Sequence, residues 1–99
     1  MGKLVRDKVP DIIKQNGKTP IYHSLSDNTF FECLLDKLVE EANEVKKNPS
    51  KEELADVLEV IDALVDFLGL SAEQLNEFKN LKKKTNGSFD KKYYLDDVK

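Results

Sequence analysis

Four carboxylates stand at matched spacings on either side of one break in the chain. Glu41 and Glu44 lie in LVEEANEV, residues 38–45, and Glu53 and Asp56 lie in EELAD, residues 52–56. Residues three apart on a helix share a face. Turning the first segment by about 100° per residue lines up Phe30, Phe31, Leu34, Leu38, Ala42 and Val45 as one apolar stripe. Glu41 falls inside that stripe and Glu44 at its edge, while Asp36 and Glu40 point toward water. The following segment repeats the pattern. Leu54, Val57, Leu58, Val60, Ile61, Leu64, Val65, Phe67 and Leu68 cover about half of its circumference, with Glu53 inside the apolar arc and Asp56 bordering it. A lone carboxylate in such a place costs several kcal/mol unless it is paired, protonated or bound to a cation.

Folding the chain back at Asn48-Pro49-Ser50 brings the two acid pairs level, so four carboxylates can converge between antiparallel helices. No Lys or Arg is expected near them. A hard divalent cation such as Mg²⁺ or Mn²⁺, which prefers oxygen ligands, resolves the repulsion. No His or Cys joins the set, which argues against zinc and against a carboxylate di-iron bundle built on Glu-x-x-His pairs. The plainer alternative is that these acids are solvated, with Glu53 serving only as the third residue of a capping box opened by Ser50.

These residues also resemble a known family. Glu40-Glu41-x-x-Glu44 followed by Glu53-x-x-Asp56 is similar to the EExxE…ExxD signature of the MazG-like, all-α nucleotide pyrophosphohydrolases. ELADVLEVIDAL, residues 53–64, is similar to that family's third-helix segment. The opening KLVRDKVPDII, residues 3–13, resembles the small phosphoribosyl-ATP pyrophosphohydrolase-like subgroup, while NGSF at 86–89 departs from its RGGF-like pattern. The resemblance implies a helical bundle that forms dimers or tetramers. It implies Mg²⁺, or Mn²⁺, held by Glu41, Glu44, Glu53 and Asp56, and cleavage of a nucleoside triphosphate to monophosphate and pyrophosphate. Glu40, next to a ligand, is the candidate base that orients water. Arg6, Lys8, Lys82 and Lys83 are the candidate phosphate contacts. Two alternatives stay open: phosphoribosyl-ATP as substrate, and a nucleotide-binding bundle without turnover.

The elements that must position these groups are legible from punctuation. Residues 7–16 read as a short helix closed by Gly17. Ser26 or Asp27 caps a helix running to about residue 47, Ser50 opens another that Gly69 ends, and Ser71 with Gln74 opens a fourth. Pro20–Leu25, PIYHSL, is the best and only weak strand candidate, and residues 89–99 form a tail expected to dock on the bundle. The fold class read from this is all-α: an antiparallel helical bundle in one domain, residues 1–99, with a short N-terminal helix and a C-terminal tail. The net charge of −3 gives no footprint for a nucleic-acid backbone binder. The single cysteine, Cys33, fits a reducing compartment, and MGKLVRDKVPD has no apolar core of a signal peptide, so a cytoplasmic, membrane-free location is expected. The third helix is apolar over more of its surface than one neighbour can cover, which predicts a homodimer built mostly from the second and third helices.

Overall fold

The computed structural model describes residues 2–99 and is all-helical, with no strand among the described residues. Its elements are α1 (Val9–Gln15), α2 (Asp27–Lys47), α3 (Lys51–Phe67) and α4 (Ala72–Asn86). Residues 20–25, the one strand candidate, run as irregular chain with no partner for a ladder. Each longer helix starts where a serine can satisfy an otherwise orphaned amide. Ser26 accepts from the Thr29 N–H, Ser50 from the Glu53 N–H and Ser71 from the Gln74 N–H. Gly69, at φ +71°, carries the left-handed step that lets the chain leave α3, a conformation costly for a residue with a Cβ.

The centre of the molecule is the α2–α3 hairpin, closed by the short turn at 48–50. At its open end the Phe67 ring stacks on Phe30, centroids 6.0 Å apart, and meets Phe31 edge-on at 5.0 Å. Midway along, Leu34 of α2 and Val60 of α3 are the buried hydrophobic pair. These contacts set the register that brings the middle of α2 level with the first turns of α3. The N-terminal segment crosses one side of the hairpin, where Arg6 reaches Asp56, and Val9 and Ile12 of α1 line a cleft there with Phe30, Leu34 and Val60; Pro10 of α1 is buried.

The opposite side is bare. By helical rotation Leu35 and Val39 of α2 share one face with Leu54 and Leu58 of α3, away from the N-terminal segment. All four are exposed, Val39 and Leu58 by 62% and 60%. Helix α4 buries nothing and meets only α3 among the helices, leaving Leu75, Phe78 and Leu81 exposed. The tail is also free: Tyr93, Tyr94, Leu95 and Val98 are exposed, so the expected docking on the bundle does not occur within one chain. The radius of gyration is 17.8 Å, against about 13 Å for a compact chain of 100 residues. The long axis measures 59 Å, well beyond the ~32 Å length of a 21-residue helix. No helix among the described residues is long and apolar enough to cross a membrane.

Candidate metal centre

Three of the predicted acids meet. Glu41 from α2 and Glu53 and Asp56 from α3 each offer a carboxylate oxygen within 4.8 Å of the others, and all three are half-buried. The hairpin dictates this. Glu41 sits one turn before Glu44 near the end of α2, Glu53 lies in the first turn of α3, and the tight connection makes those heights coincide. The Glu41 side chain is 13% exposed, against 44% for Asp56. Partial burial pushes the Glu53 carboxyl above its ordinary value, and the negative charges of Asp56, Glu44, Glu41 and Glu52 push it in the same direction.

Ser50 does cap α3 by accepting from the Glu53 N–H at 3.3 Å. The reciprocal bond of a capping box is recorded for Gln74 in α4 and not for Glu53. The Glu53 carboxylate lies with Glu41 and Asp56 instead, so its cap role is carried by its backbone and its side chain is available to the cluster.

Glu44 stands outside the triad. Its carboxylate pairs with Lys47 at 3.8 Å, although its charge is felt at Glu53. Glu40 is exposed and pairs with Lys37 at 3.4 Å. The expectation that no Lys or Arg stands near the acids is overturned. Arg6 donates from Nη2 to Asp56 Oδ1 at 3.0 Å, and Lys37 Nζ lies 3.6 Å from Glu41. Lys37 is three and four residues ahead of Glu40 and Glu41 on one helix, spacing that makes neighbours of them, and that signal was there to read in the sequence. Arg6 could not be placed from spacing, because its contact spans fifty positions of chain.

A cleft of about 830 Å³ opens between the N-terminal segment and the hairpin. Its wall is apolar at Val9, Ile12, Phe30, Leu34 and Val60, cationic at Lys3, Arg6, Lys8 and Lys37, and acidic at Asp7, Glu41, Asp56 and Glu59. Apolar side chains and four cations in one cleft could receive a ligand with an apolar part and an anionic part, with the four acids left to a cation. Arg6 and Lys8 therefore line the space next to the triad. Lys82 and Lys83 do not: they are exposed on α4, outside the cleft.

An all-carboxylate set with no nitrogen or sulfur donor matches the ligand preference of Mg²⁺ and Mn²⁺. Comparison with known proteins adds little. No protein-family model matches the chain, and no solved structure matches it. A stretch of 46 residues is 41% identical to an uncharacterised protein of Mycolicibacterium smegmatis, covering 46% of this chain and 47% of that protein. The chain thus spans about half the length of the curated relative it matches.

Proposed function

We propose that the chain is a metal-dependent nucleotide pyrophosphohydrolase that cleaves a nucleoside triphosphate, or a related nucleotide, to monophosphate and pyrophosphate. The observation that carries the reading is the convergence of Glu41, Glu53 and Asp56, two of which, Glu41 and Asp56, line a cleft that also holds apolar side chains and the cations Lys3, Arg6, Lys8 and Lys37. It is supported by the EExxE…ExxD pattern, which supplies the acids, and by the LVRDKVP segment, which supplies Arg6 and Lys8. Mg²⁺ or Mn²⁺ held by Glu41, Glu53 and Asp56, with Glu44 one turn away to complete the set, supplies charge neutralisation at the phosphate oxygens. The chain's own groups do the rest. The apolar wall around Phe30 and Leu34 receives the base, and Arg6 and Lys8 hold phosphate oxygens. Glu40, next to Glu41 in sequence, stands outside the residues that line the cleft and pairs with Lys37; it is the group assigned to accept a proton from the attacking water once that pair opens.

The test is product analysis over a panel of ribo-, deoxy- and modified triphosphates together with phosphoribosyl-ATP, each with Mg²⁺ or Mn²⁺. Pyrophosphate release from at least one of them is expected. Orthophosphate as the product points to a phosphatase, and no turnover on any of them favours a binding bundle.

We also propose that the working form is a homodimer in which the bare hairpin face is shared. Leu35, Val39, Leu54 and Leu58 form an apolar surface opposite the cleft, so a second copy can cover it without blocking the site. The same face on each copy gives a closed two-fold pair and a four-helix layer. Leu58→Asp should yield monomer by sedimentation equilibrium where the unaltered chain is a dimer. A monomeric unaltered chain at micromolar concentration would refute this part.

A further inference from the structure

Two cations already sit on the acids that the proposed metal would need. Arg6 holds Asp56 Oδ1 at 3.0 Å, and Lys37 lies against Glu41. Arg6–Asp56 is an ion pair that joins the N-terminal segment to α3, and both its side chains are well exposed, at 60% and 44% of their surface. We propose that Arg6 is a displaceable stand-in for the divalent ion: it neutralises Asp56 until a cation arrives, and then turns to the phosphates of the ligand. This rests on the metal-centre reading above and adds a coupling to it.

The geometry supports each half. A guanidinium and a divalent cation on one small carboxylate repel each other at contact distance. An ion pair this exposed is weak enough to be given up. Arg6 also lines the cleft together with Lys3 and Lys8, the space in which an anion would be held. Its planar fork suits a phosphate better than a single carboxylate oxygen does. Metal and phosphate binding would then be linked through one side chain, each making the other easier.

The rival role for Arg6 is to orient Asp56 from behind, as outer partners of metal ligands do, with the ion taken by the second oxygen. The two roles predict opposite signs. Mn²⁺ binding to the folded chain is measured by calorimetry at low salt, alone and with pyrophosphate as the phosphate probe, for the unaltered chain, Arg6→Gln and Arg6→Lys. Exchange predicts that Arg6→Gln binds Mn²⁺ alone more tightly, by at most about 5-fold, since exposed ion pairs are worth up to ~1 kcal/mol. It predicts that pyrophosphate binding in the presence of Mn²⁺ weakens by about 10-fold in that variant, the loss of one charge-assisted contact. Arg6→Lys, which keeps the charge, should bind Mn²⁺ as the unaltered chain does. Unchanged or weaker Mn²⁺ binding in Arg6→Gln would overturn the exchange and leave the metal centre standing. A Lys variant that tightens as much as the Gln variant would also overturn it. No Mn²⁺ binding by the unaltered chain would overturn the metal centre itself.

Discussion

Helices α3 and α4 open with the same words and end in different states. Ser50-x-x-Glu53 and Ser71-x-x-Gln74 both place a serine cap three residues before an acid or amide. In α4 the box closes: Ser71 accepts from the Gln74 N–H at 3.0 Å, and Gln74 Oε1 accepts from the Ser71 N–H at 2.8 Å. In α3 only the first bond forms, and the Glu53 carboxylate stays with Glu41 and Asp56. The closed cap belongs to a helix that buries nothing, while the open one belongs to a helix packed along α2. The difference separates a side chain spent on its own cap from one left with the acid cluster. Gln74 finishes its own helix, and Glu53 remains a cost of the fold unless something cationic meets it.

The largest expected separation is in turnover. Glu40→Gln in the hairpin should keep Mn²⁺ binding and lower kcat by about 10²–10⁴-fold, the usual contribution of a positioned base. Gln74→Ala in α4 should leave kcat within about 2-fold, since α4 does not line the cleft. Steady-state kinetics with a Mn²⁺ titration on each variant checks both. A Glu40→Gln enzyme with unaltered kcat would remove Glu40 from the chemistry.

The second separation is in pH dependence. The Glu53 carboxyl is raised by partial burial and by its acidic neighbours, so the fold favours its neutral form. The stability this gives is fully present below the unfolded carboxyl's ordinary value and is lost as pH rises through the higher folded value. At neutral pH without metal, Glu53→Gln should therefore melt at a higher temperature than the unaltered chain. The gap should close on acidification below the ordinary carboxylate range. Added Mg²⁺ should raise the melting temperature of the unaltered chain and not that of the variant. Melting curves across pH, with and without Mg²⁺, carry this test; equal curves at neutral pH would contradict it.

The smallest separation is in the caps. Ser50→Ala and Ser71→Ala each remove a bond worth about 1 kcal/mol. In α3 the loss reaches the whole packed hairpin and lowers the melting temperature by about 4–8 °C. In α4, which meets only α3 among the helices, it should appear as faster amide exchange within residues 72–86, with little change in the midpoint.

The helices were legible because their stops and starts are chemical. Ser26, Ser50 and Ser71 cap helices where expected, and Gly69 leaves α3 as expected. The convergence of Glu41, Glu53 and Asp56 followed from helical period and one tight turn, both local properties. Glu44 was expected among them; it stands one turn away, beside Lys47 at 3.8 Å, with its charge still felt at Glu53. What was not legible depended on contacts between distant parts of the chain. The Arg6–Asp56 pair needs the N-terminal segment to cross the hairpin, which no periodicity encodes. The isolation of α4 and of the tail was hidden for a similar reason. Leu75, Phe78 and Leu81 form an apolar stripe that reads as core, and only the fold reveals that nothing in the same chain covers it.

The proposed metal centre has Glu41, Glu53 and Asp56 together holding a divalent cation. Its most direct measurement is Mn²⁺ titration followed by electron paramagnetic resonance on the unaltered chain, Glu41→Gln and Asp56→Asn, with circular dichroism to confirm helix content. Saturable Mn²⁺ binding by the unaltered chain, lost in both variants while each stays helical, is the expected result. Saturable binding that survives in both variants, or no binding by the unaltered chain, would contradict it.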